Sequence, residues 1–176
     1  MRWISTLLAA ALALPAAVAA QPPAPSRESA EKMRALDFLA GEWEGEAWMQ
    51  MGPDRRETAR QHERVEWVAG SEVLLIQGQG RNGDKLVHDA VAAVAWDPQA
   101  DKYLMWSYRA GGGPTPSPWV EVGETRMTWG FEAPGRKVRF TIRLDESGRW
   151  VEDGEWSADS GTTWRPFFGM TLTRKK

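Results

Sequence analysis

The chain has 176 residues, with 22 lysine and arginine residues against 24 aspartate and glutamate residues and a formal net charge of -2. It contains no cysteine, which excludes disulfides, thiolate zinc sites, iron–sulfur ligation and a cysteine nucleophile. The near balance of charge argues against a nucleic-acid-binding protein, which would carry basic residues in excess on one face.

Residues 1–20 have the pattern of a secretory signal peptide. A basic Arg2 precedes an apolar run from Trp3 to Leu14, and small residues follow Pro15 up to Ala20. We therefore expect cleavage after Ala20 and a periplasmic or secreted protein. The apolar run is shorter than the roughly 20 residues that a membrane-spanning helix needs. We expect no membrane span once the signal is removed.

Residues 21–25 read Gln-Pro-Pro-Ala-Pro and predict an extended linker. The predicted domain covers residues 26–176. Ser26 can cap a helix, and apolar residues then recur at spacings of three and four until Gly41, which stands where a C-cap glycine belongs. This pattern predicts one amphipathic helix of about fourteen residues.

After Gly41 the hydrophobic period falls to two, most clearly over Arg136–Leu144. Strands are predicted near residues 43–50, 57–68, 72–79, 86–96, 102–109, 119–122, 125–131, 136–144, 148–156 and 163–174. Short turns and the lack of intervening helices indicate an up-and-down antiparallel meander. Closure removes the exposed edges of so wide a sheet. The predicted fold is all-β: a closed antiparallel barrel of about ten strands with one N-terminal helix.

Residues 111–118, Gly-Gly-Gly-Pro-Thr-Pro-Ser-Pro, form the one unusual connection. Their composition predicts neither helix nor ladder, but a flexible flap at one end of the barrel. Such a flap either gates a cavity or is a simple connection.

Four sequence stretches resemble one family of barrels. Phe38-Leu39-Ala40-Gly41-Glu42-Trp43-Glu44-Gly45 resembles the opening of calycin-like barrels, which include lipocalins, nitrobindin-type haem barrels and a bacterial exported family of unknown function. Resemblance to the last family extends to Trp96-Asp97-Pro98 with Lys102-Tyr103, to Trp106-Ser107, and to residues 157–164 ahead of a strand ending in Arg174. The resemblance implies a closed barrel with a helix near one end, and no established reaction.

We interpret the motif residues as structural. Gly41 allows a sharp turn, Trp43 can plug the base of the barrel, and Gly45 permits close backbone approach where the strand bends. Trp164 follows a tight turn at residues 159–161 and is expected on or near the buried side.

The sequence carries no specific signal for a metal, a haem or a catalytic site. Only His62 and His88 are available, at no metal-binding spacing, and nitrobindin-type barrels hold haem through a histidine on a late strand that is missing here. If a haem were bound, His88 would be the better candidate. Ser107 lacks a nucleophile-elbow context. A catalytic carboxylate pair would need one member in an apolar setting. We therefore expect no metal, no cofactor and no enzymatic activity.

Ten tryptophans remain after the predicted cleavage, and nearly every strand carries one. They can fill a narrow barrel, or they can line a pocket for an apolar or planar ligand. The candidate ligand-binding residues are Trp106, Tyr108, Trp129, Arg139 and Arg143. The expected function is therefore binding of a small apolar molecule in the barrel. Two alternatives stay open: a structural or protein-interaction barrel with a filled core, and an enzyme acting on a lipid or sugar.

Overall fold

The computed structural model describes residues 27–176, so the predicted signal peptide, the linker and Ser26 lie outside the described residues. The domain begins with helix α1 (Arg27–Arg34), followed by a short 3₁₀ helix (Asp37–Leu39). The helix is shorter than predicted, because the chain tightens after Arg34 into bonds between residues three apart, such as Leu39 N to Leu36 O at 3.0 Å. This tightening turns Leu36 and Leu39 into the core. Within residues 27–176, neither α1 nor any other helix has the length and apolar character to cross a membrane.

Eleven strands follow, and every predicted strand is present. They are β1 (Gly41–Gly52), β2 (Arg55–Val68), β3 (Val73–Asn82), β4 (Lys85–Asp97), β5 (Lys102–Arg109), β6 (Pro114–Ser117), β7 (Trp119–Val122), β8 (Arg126–Ala133), β9 (Arg136–Leu144), β10 (Trp150–Ser157) and β11 (Arg165–Arg174). A short 3₁₀ turn, Ala69–Ser71, joins β2 to β3.

All the strands belong to one antiparallel sheet in the order β6-β5-β4-β3-β2-β1-β11-β10-β9-β8-β7. The first and last strands pair from Trp43 opposite Arg174 to Met49 opposite Phe168. The sheet therefore curls into a nearly closed barrel, which confirms the predicted fold class.

The two edges of the sheet, β6 and β7, are consecutive parts of one extended segment. Residues 114–117 pair with β5, and after Pro118 residues 119–122 pair with β8. Prolines at the alternate positions 114, 116 and 118 remove the backbone donors along one side of residues 114–118. The prediction that residues 111–118 form no ladder was wrong for its second half, because the prolines leave Thr115 and Ser117 free to pair with β5.

The barrel has a lower end, covered by α1 and the 3₁₀ helix, and an upper end, formed by the hairpin turns after β1, β3, β5, β8 and β10. Tyr103 Oη, at the start of β5, donates to Lys32 O at 2.6 Å and fastens α1 to the lower end. The fully buried core lies at this end and comprises Leu36, Leu39, Trp43, Leu74, Val94, Met127 and Leu172. Higher in the barrel the interior positions keep a small exposed surface, so the lower end is the more tightly filled.

Candidate functional site

Trp43 forms the floor of the interior. Its indole Nε1 donates to Leu39 O at 2.8 Å, and its ring meets the edge of Trp150 at 5.6 Å. The Arg174 guanidinium lies 4.0 Å from the Trp43 ring centroid and donates to the carbonyls of Phe38, at 2.8 Å, and Ala40. Arg174 of the last strand therefore holds the 3₁₀ helix and Trp43 together at the lower end.

Steric constraints explain why both positions 41 and 45 of the opening motif are glycine. Gly41 has a φ of 125°, which other residues rarely adopt, and it begins β1 rather than capping a helix. A Cβ on Gly45 would lie 2.1 Å from Thr171 O, so only glycine allows β11 to approach β1 so closely. Trp164 lies half-buried, with Nε1 donating to Gly161 O at 3.0 Å and the Arg139 guanidinium 3.9 Å from its ring centroid.

Two carboxyl groups lie inside the barrel, above the Trp43 floor. Glu63 on β2 and Glu152 on β10 are only 6% and 8% exposed. Glu63 Oε1 accepts a hydrogen bond from Gln61 Nε2 at 2.7 Å, and Glu152 Oε2 accepts one from Trp150 Nε1 at 3.3 Å. No described lysine, arginine or histidine forms an ion pair with either carboxyl group.

The fold makes room for these polar groups with glycines on β3. A Cβ on Gly78 would lie 2.5 Å from Glu63 Oε1, and a Cβ on Gly80 would lie 2.6 Å from Gln61 Oε1. The carboxyl and amide groups therefore lie against bare backbone, in space that any larger residue would occupy.

Burial raises the pKa of both glutamates. The pKa of Glu63 rises from 4.5 to about 7, with the Gln61 hydrogen bond opposing the effect of burial. Burial, and then the nearby Glu63, raise the pKa of Glu152 from 4.5 to about 8. Near neutral pH the pair therefore holds protons that exposed glutamates would have released.

Two unpartnered polar atoms lie at the height of the carboxyl groups. Ser117, 5% exposed, faces the interior beside Met105, and Trp129 packs against the core from β8. Three buried side-chain atoms have no hydrogen-bond partner among the described residues: Ser117 Oγ and Trp129 Nε1 here, and Trp96 Nε1 at the lower end, where Lys32 lies 4.4 Å from its ring centroid. Buried polar groups normally have partners, so two such atoms near two carboxyl groups mark a polar site.

The strand registers indicate that these groups lie at a similar height. Rows of paired residues climb from the lower end of β1 to the upper end of β5, through Trp43, Glu63, Gly78, Ala90 and Arg109. This climb is the strand tilt of a barrel. Glu63, Glu152, Ser117 and Trp129 lie on four different rows, and we infer from the tilt that they come to a similar level. Glu152 lies near enough to Glu63 for that carboxyl group to raise its pKa. We call these four residues the carboxyl layer.

The interior above the carboxyl layer has two unlike walls. On one side the rings of Trp129 and Phe140 stack at 4.3 Å, and Phe168 meets Phe140 at 5.9 Å. On the other side Ala47, Ala59, Ala90 and Ala92 form a small-residue wall at interior positions of β1, β2 and β4. Gln61 interrupts this wall, and its amide fills the space beside Gly80. An aromatic wall facing a small-residue wall suits an apolar ligand.

The structure does not bring the candidate ligand-binding residues together. Trp106 and Tyr108 lie on the outer face of β5, 46% and 49% exposed. Arg139 and Arg143 also point outward, paired with Glu155 at 2.8 Å and with Asp153. Of the five, Trp129 alone faces the interior. Alternation in the sequence shows that a strand has two faces, but not which one turns inward.

The carboxyl layer was missed at the sequence level except for Trp129. A catalytic carboxylate pair would need one member in an apolar setting, and Glu63 and Glu152 both lie in such a setting. They are far apart in the chain, so no sequence motif contains both. One signal was present: Glu63 and Glu152 fall on the same alternation as the apolar residues Val65 and Trp150 of their strands.

The remaining sequence candidates lie elsewhere. Ser107 Oγ donates weakly to Thr115 O at 3.4 Å. His88 faces the upper interior, where burial and the nearby Arg109 lower its pKa. In the part of the chain that the structure describes, no three histidine or acidic side chains are grouped as a metal ion would require.

A shallow depression of about 530 Å³ lies on the outer face of β2 to β5. Its lining includes Arg64, Gln77, Asp89 and Tyr108. Trp106 and Tyr108 are exposed on the same strand face, so this surface offers aromatic and charged groups together.

Fold and site together define a nearly closed antiparallel β-barrel with a buried, protonatable polar layer. The sequence matches no family model and no curated protein. The chain is similar in structure to Rv2717c from M. tuberculosis, whose crystal structure aligns with a TM-score of 0.60 over 82% of this chain and 97% of that chain, at 15% identity. At this identity the similarity shows the fold alone.

Proposed function

We propose that this protein is an exported, calycin-like barrel that binds a small, largely apolar molecule inside the barrel. The apolar part of the ligand lies between the aromatic wall and the small-residue wall. Its polar end reaches the carboxyl layer. The signal-like residues 1–20 and the opening motif around Trp43 support export and family membership.

The observation that carries the proposal is the pair of unpartnered atoms, Ser117 Oγ and Trp129 Nε1, beside two buried carboxyl groups. A core selected for stability alone would avoid such groups, because each costs free energy unless it is hydrogen-bonded. A ligand with a polar end supplies the missing partners. The proposed activity is binding and not catalysis.

Two neighbouring alanines give a matched test. Ala92 faces the interior next to Ile76, and Ala93 faces outward next to Leu75 and Trp106. We expect Ala92→Leu to weaken ligand binding at least about tenfold by filling the site, and Ala93→Leu to leave it unchanged.

Binding is measured by native mass spectrometry of the protein purified from its own cells, and by titration with octanol and with octylamine. Wild type and Ala93→Leu should retain a bound mass or respond to a titrant, and Ala92→Leu should not. If wild type shows only its own mass and responds to neither titrant, or if the two variants behave alike, the proposal is wrong.

A second candidate function is a protein-interaction barrel that uses its outer face. The exposed Trp106 and Tyr108, with Leu86 and Val87 at 40% and 48% exposure, favour it, because large exposed apolar residues mark interaction surfaces. Replacing Trp106 and Tyr108 by serine should then abolish partner binding and leave octanol binding intact.

A further inference from the structure

The two carboxyl groups of the carboxyl layer can become negatively charged, and no positively charged side chain among the described residues pairs with them. The side chains that face Glu63 and Glu152 from the neighbouring strands are neutral: Trp43, Gly45 and Ala47 on β1, Ile76 and Gly78 on β3, Phe140 and Ile142 on β9, and Met170 and Leu172 on β11. His88 and Arg109 lie nearer the upper end. Asp153 points outward and pairs with Arg143.

Each of the two glutamates has one carboxyl oxygen without a hydrogen-bond donor among the described residues. Glu63 Oε1 and Glu152 Oε2 accept hydrogen bonds, whereas Glu63 Oε2 and Glu152 Oε1 accept none from any described residue. Ser117 Oγ lies on the same level without a partner. The layer therefore offers one unpartnered donor, Trp129 Nε1, and several acceptors with no positive charge among the described residues beside them. These acceptors are the complement of an ammonium group with its three N–H bonds.

We propose that the ligand carries a basic nitrogen, and that Glu63 and Glu152 bind the resulting organic ammonium ion in exchange for a proton. This inference rests on the proposed function and names the chemical class of its ligand. A neutral alcohol would gain hydrogen bonds but no charge pairing. An anionic ligand such as a fatty acid would bring a third acidic group to the buried carboxyl layer and is disfavoured.

The exchange balances in atoms and charge. The ammonium ion enters with its full positive charge, one glutamic acid of the pair gives up its proton to solvent, and the carboxylate that forms pairs with the ammonium group. No covalent bond to carbon changes. Because binding releases a proton, the affinity for an amine should rise with pH until the carboxyl groups are ionised in the free protein.

Three octyl compounds with matched chains provide the test: octylamine, octanol and octanoate. On wild type we expect octylamine to bind at least about tenfold more tightly than octanol, and octanoate to bind more weakly than either. Isothermal titration calorimetry, done at each pH in two buffers that both work there and differ in ionisation enthalpy, should show release of up to about one proton for each octylamine bound near pH 6, decreasing toward about pH 9.

The double variant Glu63→Gln, Glu152→Gln keeps the shape of both side chains. It should keep the far-UV circular dichroism spectrum of wild type, which shows that it is folded, and it should lose the preference for octylamine over octanol and the proton release. Glu57→Gln, exposed on the same strand as Glu63, is the control and should change neither.

The outcomes separate the two proposals. Equal affinity of wild type for octylamine and octanol, or proton release that persists in the double variant, overturns the ammonium inference and leaves the proposed function standing. If no octyl compound binds wild type, both are wrong.

Discussion

The buried glutamates should make the protein less stable as pH rises, in a range where most proteins change little. Burial holds the pKa of Glu63 at about 7 in the folded protein, against 4.5 for an exposed glutamate. Between these values the folded protein binds more protons than the unfolded chain, so the free energy of unfolding falls as pH increases. The stabilising contribution is complete below pH 4.5 and is lost as pH rises through about 7.

The size of this loss of stability follows from the pKa shift of Glu63. At about 1.4 kcal/mol per pH unit, Glu63 accounts for roughly 3 kcal/mol of lost stability. In a domain of this size that corresponds to a fall in Tm of about 6 to 12 °C. In the Glu63→Gln variant position 63 cannot ionise, and its amide keeps a carbonyl for Gln61 Nε2, so the Tm should fall less with rising pH than in wild type. The remaining fall comes from Glu152, whose pKa burial raises from 4.5 to about 8.

Thermal unfolding followed by circular dichroism from about pH 5 to about pH 9 tests this reasoning. Wild type and Glu63→Gln should have similar Tm values at the acidic end and diverge with rising pH, the variant becoming the more stable. The exposed Glu57→Gln should follow wild type. Parallel curves for wild type and Glu63→Gln would refute the assignment of Glu63 as a buried, protonated group.

The remaining predictions concern packing and the lower end. Gly78→Ala should lower stability by about 1 to 3 kcal/mol, because its Cβ would lie 2.5 Å from Glu63 Oε1. Gly52→Ala, with nothing within 4 Å of the added Cβ, should stay near wild type in the same urea titration. Arg174→Lys should lower stability by about 2 kcal/mol, since a lysine cannot both stack on Trp43 and reach two carbonyl groups; an unchanged urea midpoint would contradict this role.

Much of the fold could be predicted because the strands and turns are determined by local sequence patterns. The alternation of Arg136–Leu144 and the turns between strands depend on neighbouring residues only, and all ten predicted strands are present. The two misjudged segments depend on distant contacts. The helix after Arg34 gives way to a 3₁₀ turn that carries Leu39 into the core, and residues 114–117 form a strand because β5 offers them a partner.

The site was far less predictable, for a geometric reason. Period-two alternation fixes two faces for each strand but does not tell which face turns inward, so Trp106 and Tyr108 were grouped with Trp129, although they lie on the opposite face. Glu63 and Glu152 come from strands β2 and β10 and share a level only through the tilt of the barrel. No local pattern joins two such residues.

The segment that contains β6 and β7 gives the barrel one line of weakness in its wall. It holds β5 through one half and β8 through the other, and its prolines remove the donors that would tie both neighbours at every position. Elsewhere, widening the cylinder means breaking a full ladder. Along this line each half of the segment is paired on one side only, so we expect the wall to open here first when the fold loosens.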